Sequence, residues 1–224
     1  MKPVIRVKLL SNFIRLVGNP LRTDLIFEMT ELARKLKGPL SEVTMKQVKS
    51  QPGFTELYES GYAPPVPTLQ ELLRLPSGTF GREFAEHVRE NNLDIDFFPK
   101  ASGQGLEQFF VERARKSHDM WHVLTGYGAG VVGEIGLQSF SLAQLRSPIS
   151  AIILSGGLLH TLLKAPLIYD SLIDHMFEGF EMGRTAKPLI GLPIETYLEE
   201  DLEQLRARLN ITPTKLSDHS TKLY

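Results

Sequence analysis

Residues 117–134 read SHDMWHVLTGYGAGVVGE, and the fold turns on how this stretch is parsed. On a helix, His118 and His122 lie one turn apart and share a face. That is the spacing by which two imidazoles reach one divalent ion, as in the H-E-x-x-H motif. Asp119 stands where that motif has its Glu, rotated by about 100° from His118. It ligates directly if the helix is locally distorted; otherwise it serves as a base or as an outer partner of the ligands. Glu134 follows His122 by twelve residues. Along one unbroken helix the two would be about 18 Å apart, beyond the reach of a single ion. If the chain turns near Gly128, the two residues are equidistant from the turn and sit at similar heights on an antiparallel pair. Gly126 would then end the first helix in the left-handed conformation, and Gly128 and Gly130 would ease the reversal. In the competing reading, Gly126, Gly130 and Gly133 form a small-residue stripe on a continuous helix, and Glu134 leaves the site. A third reading makes the motif a polar face pairing with Arg113 and Arg115. The residues alone leave these open.

Outward from this stretch the pattern stays helical. Val4, Val7, Leu10, Ile14 and Val17 recur at helical spacing, the mark of a first core-facing helix. The five basic residues before the first acid, Asp24, also suit a transit peptide or a helix on an anionic membrane surface. The 18–20 segment, Gly-Asn-Pro, breaks this helix, with Pro20 suited to the first turn of the next, which closes at Gly38-Pro39. Ser41 suits the cap of a short helix, and Thr68 to Glu71 forms a capping box. A helix from Thr79 buries Phe80, Phe84 and Val88, and 93–105 reads as a loop. A long helix starts near Leu106, others follow from Val131, Pro148 and Leu167, and one spans 193–210. Residues 148–166 are strongly apolar and at the lower limit for spanning a bilayer, but Ser150, Ser155, His160 and Thr161 favour a buried central helix. There is no run of period-two strands, no repeat and no long linker. The expected fold is a single all-α domain over 1–224, a multi-helix bundle with a helical hairpin carrying the metal motif. Residues 1–8 and 211–224 are expected to be loose.

The chain has 224 residues, a formal net charge of −1 and no cysteine. Disulfides and thiolate ligands are thereby excluded, so a metal site must draw on His, Asp, Glu or backbone oxygen. With no basic excess, nucleic acid is not an expected partner. Arg6, Lys8 and Arg15 interrupt any secretory apolar core. His160 reads as a hydrogen-bonded core histidine, and His87, beside Glu86, as solvated. Asp174-His175 and Asp218-His219 lack a second histidine at helical spacing. No phosphate loop, nucleophile elbow or dinucleotide fingerprint is present.

The segment HDMWHVLTGYGAGVVGE resembles the H-D-x-x-H-x11-E signature of the Coq-four family of coenzyme Q (ubiquinone) biosynthesis. GNPLRTD is similar to its N-P-x-R-x-D segment and LPSGTFGREF to its L-P-x-G-(S/T)-x-G-R-E-(Y/F). EMGRTAKPL and EEDLEQLRARLNI resemble its C-terminal motif and closing helix. The resemblance runs from about Leu9 to Ile211. It implies that His118, Asp119, His122 and Glu134 are metal ligands and catalytic, with zinc the usual ion and magnesium or manganese as alternatives. It implies action on a polyprenylated ring precursor, at the removal of the C1 carboxylate and installation of a hydroxyl, and so an oxidative decarboxylase of the lyase class. It also implies association with other quinone-biosynthesis enzymes and with membrane surfaces, and a homo-oligomer. A cytoplasmic location or one at the inner face of a membrane follows, and the first helix becomes a structural helix rather than a transit peptide.

A polyprenyl tail needs an apolar groove, and Gly156, Gly157 and His160 lie in the most apolar stretch, suited to lining one. Arg82 is a candidate to hold an acidic headgroup, or else a surface or helix-pairing arginine. Zinc has no redox chemistry, and four protein ligands would close its site. A non-catalytic prenyl-lipid-binding scaffold is therefore the alternative function. A zincin-like hydrolase is disfavoured, because Asp119 is one methylene shorter than Glu.

Overall fold

The computed structural model describes residues 2–20, 22–36, 39–65, 67–95 and 104–216. Among them the chain is all-α. In order, the helices are α1 (Lys2–Gly18), α2 (Thr23–Leu36), α3 (Pro39–Lys49), α4 (Phe54–Glu59), α5 (Leu69–Leu72), α6 (Phe80–Glu90), α7 (Leu106–Thr125), α8 (Val131–Leu145), α9 (Pro148–Lys164), α10 (Tyr169–Thr185) and α11 (Leu202–Leu209). The only β contact among the described residues is an isolated bridge between Thr79 and Asp201. Part of the expected 93–105 loop, residues 96–103, lies outside the described residues, as do Gly38 and the tail from residue 217, with Asp218 and His219.

The chain forms two compact units, one of residues 1–47, 128–184 and 215–224, the other of residues 48–127 and 185–214. In the first, α1, α2, α8, α9 and α10 contribute to a core around Leu16, Met29, Ile135, Ile153, Leu154 and Leu172. Ser139 Oγ donates to the Met176 carbonyl (2.6 Å) and Gln144 Nε2 to the Gly183 carbonyl (2.7 Å), tying α8 to α10. These two helices cross closely enough that a Cβ on Gly179 would collide with the Gly136 carbonyl. Gly179→Ala is therefore expected to cost about 3 kcal/mol and to lower Tm by about 6–12 °C. Gly18, where an added Cβ would meet nothing within 4 Å, serves as control, and an unchanged Tm in Gly179→Ala would show the crossing to be loose.

Helix α1 corrects the sequence reading. Its buried stripe is Ile5, Asn12 and Leu16, flanked by Leu9 and Phe13. Val4, Val7, Leu10 and Ile14, whose spacing marks a core-facing stripe, are each at least 60% exposed. The helix carries two apolar stripes, and periodicity alone does not say which one packs. Residues 2–8 are helical rather than loose. Pro20 precedes α2 rather than opening it, and Ser41 lies inside α3 rather than capping it. In α9, Ser150, Ile153, Leu154, Gly156, Gly157, His160 and Thr161 are buried, while Leu162 and Leu163 are exposed. No helix among the described residues is long and apolar enough to cross a membrane.

In the second unit, Phe54 packs against Phe109 and Phe110 with ring centroids 5.6 and 6.3 Å apart. The Gly78–Gly81 turn docks on the 198–202 segment. Phe80 N–H donates to the Glu200 carbonyl, Gly81 N–H to Leu198 and Leu202 N–H to Gly78, at 2.7–2.8 Å. Gly81 has no room for a side chain there, since a Cβ would lie 2.8 Å from the Leu198 oxygen. The single helix expected over 193–210 is split into a 3-10 turn (Ile194–Tyr197) and α11. Asp201 makes the break, its carboxylate accepting from Gln204 N–H (2.9 Å) as an N-cap. The expected Thr68–Glu71 capping box is formed. The 211–216 segment is not loose, because Ile211 is buried and Thr214 N–H donates to the Thr125 carbonyl (2.8 Å).

Candidate metal centre

Helix α7 runs without interruption from Leu106 to Thr125 and brings His118, Asp119 and His122 together. Their donor atoms all lie within 4.8 Å of one another. Asp119 thus brings a carboxylate oxygen within 4.8 Å of a nitrogen of each imidazole from an uninterrupted helix. Ligands of a tetrahedral zinc lie about 3.4 Å apart, so side-chain rotations would be needed to close this cluster around an ion.

His122 is held in one orientation. Its Nδ1 lies 2.9 Å from the Tyr127 carbonyl. A carbonyl only accepts, so Nδ1 carries the proton and Nε2 keeps a lone pair for a metal. This is the outer hydrogen bond that ordinarily fixes the tautomer and orientation of a metal-binding histidine. The bond explains the first glycine of GYGAG. Gly126, at φ 78° and ψ 2°, caps α7 in the left-handed conformation and donates to the His122 carbonyl. That turn folds Tyr127 back onto the ring. The end of α7 is further tied by Arg206, whose guanidinium donates to the carbonyls of Leu124 (3.0 Å) and Val123 (2.6 Å). The reading of one continuous helix through the glycines is overturned, since α7 ends at Thr125 and α8 begins at Val131. Gly133 is close to the backbone of Gly128 rather than to another helix.

His87, read from sequence as solvated, packs against the cluster. Packing of α6 on α7 stacks its ring on His122, with centroids 5.2 Å apart and planes at 23°. His118 meets His122 edge-on at 4.9 Å. Burial, then the neighbouring His122 and His118, push the His87 pKa down to about 4. The proximity was hidden because α6 and α7 are separated by more than a dozen residues and no local spacing links them.

The polar-face alternative fails at Arg113. Its guanidinium pairs with Glu195 and with the Leu192 carbonyl, 79 or more residues away. Glu134 lies in the first turn of α8, in the other compact unit, with a carboxylate oxygen accepting from Gln138 Nε2 (2.8 Å). Arg82 is engaged by Glu86 (2.7 Å) and the Leu73 carbonyl. Gly156 faces Leu16 and Phe13, and Gly157 faces Ile135. His160 is the hydrogen-bonded core histidine expected, with Nδ1 2.8 Å from the Val17 carbonyl.

Fold and site define an all-helical protein with a His-Asp-His cluster on one helix that could hold a metal ion. Residues 6–215 match the family described as coenzyme Q (ubiquinone) biosynthesis protein Coq4, and the chain belongs to that family. It is 29% identical to a mitochondrial ubiquinone biosynthesis COQ4 homolog of Nematostella vectensis, over 89% of this chain and 97% of that one. It is 28% identical to the mitochondrial COQ4 of Eremothecium gossypii over 77% of its length, but that match spans 51% of the fungal protein. The fold matches a crystal structure of a candidate ubiquinone biosynthesis protein from Nostoc punctiforme with a TM-score of 0.80. That match has 26% identity and covers 91% of this chain and 97% of the other.

Proposed function

We propose that this protein is a metal-dependent enzyme acting on a polyprenylated hydroxybenzoate, removing its C1 carboxylate and installing a hydroxyl. The observation carrying this reading is the convergence of His118, Asp119 and His122 with His122 already oriented by the Tyr127 carbonyl. A bound divalent cation, zinc in the first instance and magnesium or manganese otherwise, would supply charge stabilisation to substrate oxygens. His118, Asp119 and His122 would hold it. Replacing carboxylate by hydroxyl is a two-electron oxidation, so dioxygen or another acceptor is the co-substrate. The test is metal analysis of the purified protein followed by turnover of a prenylated 4-hydroxybenzoate. A divalent ion and chelator-sensitive release of carbon dioxide are expected. Protein that neither contains nor binds a divalent ion would sink the catalytic reading.

A second reading, a non-catalytic prenyl-lipid scaffold working with other quinone enzymes at a membrane surface, is favoured by exposed apolar side chains. Val4, Val7, Leu10 and Ile14 of α1 lie beside the exposed Arg6, Lys8 and Arg15, a combination suited to peripheral attachment to anionic lipid. Leu163, Leu167 and Phe177 are 68%, 84% and 67% exposed, which also suits a homo-oligomer. Under this reading prenyl lipid copurifies, and chelation lowers Tm without releasing it. Turnover by the protein alone would eliminate it.

A further inference from the structure

We propose that His87 is an anion-recognising residue of the metal centre, its Nε2–H donating to an oxygen anion of the carboxylate class held on the ion. This rests on the metal reading above and deepens it. His87 comes from α6, on which none of the three clustered residues lies, yet its ring lies flat on His122 at 5.2 Å. Its two nitrogens differ. Nδ1 is 3.4 Å from the Asn91 side-chain nitrogen, and that nitrogen also donates to the His87 carbonyl at 2.9 Å. An amide nitrogen only donates, so Nδ1 is an acceptor and the ring proton sits on Nε2. Nε2 is buried and has no hydrogen-bond partner among the described residues. An unsatisfied buried N–H is destabilising, and buried polar groups are otherwise almost always paired. Its position beside His118 and His122 supplies the missing acceptor, an oxygen anion bound at the ion.

A ligand role is a poorer fit. The donor atoms that converge are those of His118, Asp119 and His122, and His87 is not in that group. A proton on Nε2 also leaves no lone pair there. A group one hydrogen bond further out is placed to touch what the ion holds, as donors in oxyanion sites do. A ring substrate with carboxylate and phenolate oxygens presents this class of acceptor.

The test uses the full chain loaded with cobalt(II), whose visible spectrum reports ligands added at the ion, titrated with benzoate. His87→Phe keeps the stack and loses the donor. It should bind cobalt(II) as the wild type does and weaken benzoate binding tenfold or more. His87→Gln, which restores an N–H, should recover most of the loss. Unchanged benzoate affinity in His87→Phe with normal cobalt(II) uptake overturns this inference and leaves the metal reading standing. Loss of cobalt(II) in His87→Phe makes His87 a ligand and also overturns it. Wild-type protein that takes no cobalt(II) fails the metal reading and this one together. A readout free of any variant is the 15N–1H spectrum of the zinc-loaded wild type. It should show the His87 proton on Nε2, shifting as benzoate is added. A proton on Nδ1, or an Nε2–H indifferent to benzoate, refutes the assignment.

Discussion

His118→Ala should weaken zinc binding by about a hundredfold or more while leaving far-UV circular dichroism unchanged. Loss of groups that merely orient ligands already costs 10–100-fold, and here a ligand itself is removed. The fold should survive because His118 is only half-buried and the cluster draws on one helix. His122→Ala should lose metal as severely but also lower stability. That ring is buried, stacks on His87, and makes a hydrogen bond to the Tyr127 carbonyl that the variant loses. Competition with a chromophoric chelator measures both affinities. If His118→Ala holds zinc as tightly as the wild type, the cluster is not the metal site. The contrast between the two variants separates ligation from packing. Equal loss of metal with unequal loss of Tm is expected.

Glu195→Ala should be strongly destabilising, at about 3–5 kcal/mol, or a Tm lower by about 10 °C or more. The Arg113 and Glu195 side chains are only 4% and 7% exposed. Tyr62 joins them, its hydroxyl donating to the second Glu195 oxygen (3.2 Å) and its ring lying 5.5 Å from the guanidinium. Burial first, then the Glu195 charge, pushes the Tyr62 pKa up to about 12, so Tyr62 remains a donor throughout the physiological range. Removing Glu195 strands the Arg113 charge in the interior, the costly case for a buried pair. Replacing both residues, Arg113→Met with Glu195→Leu, should recover most of the loss, because two apolar side chains of similar volume demand no pairing. Thermal denaturation of the wild type, Glu195→Ala and the double variant checks this. A double variant as unstable as Glu195→Ala would show that the network holds the fold in some way other than charge pairing.

The two sites show how unevenly the sequence disclosed the molecule. The pairing of His118 with His122 was legible because one helical turn is fixed geometry. So was the end of α7 at Gly126, since a left-handed cap there requires glycine. The capping box at Thr68 and the core role of His160 were legible for the same local reasons. Arg113 was not, because its partner is 82 residues away and a nearby aspartate was an equally good candidate. The break at Asp201 was missed although an Asp N-cap signal is present, because the helical pattern on either side runs through it. His87 carried no readable signal beyond being a histidine on a helix, and its flanking charges argued for solvent.

By itself the sequence determined the all-helical class, most helix positions, the family and the three candidate ligands on α7. These follow from 3.6-residue periodicity, turn chemistry and motif spacing, all set within a few neighbouring residues. Tertiary structure alone decided which of the two apolar stripes of α1 is buried, that Arg113 belongs to Glu195, and that His87 stands over His122. Each depends on which helix faces land against each other. That choice is made by packing between segments distant in the chain, where no local propensity distinguishes the alternatives.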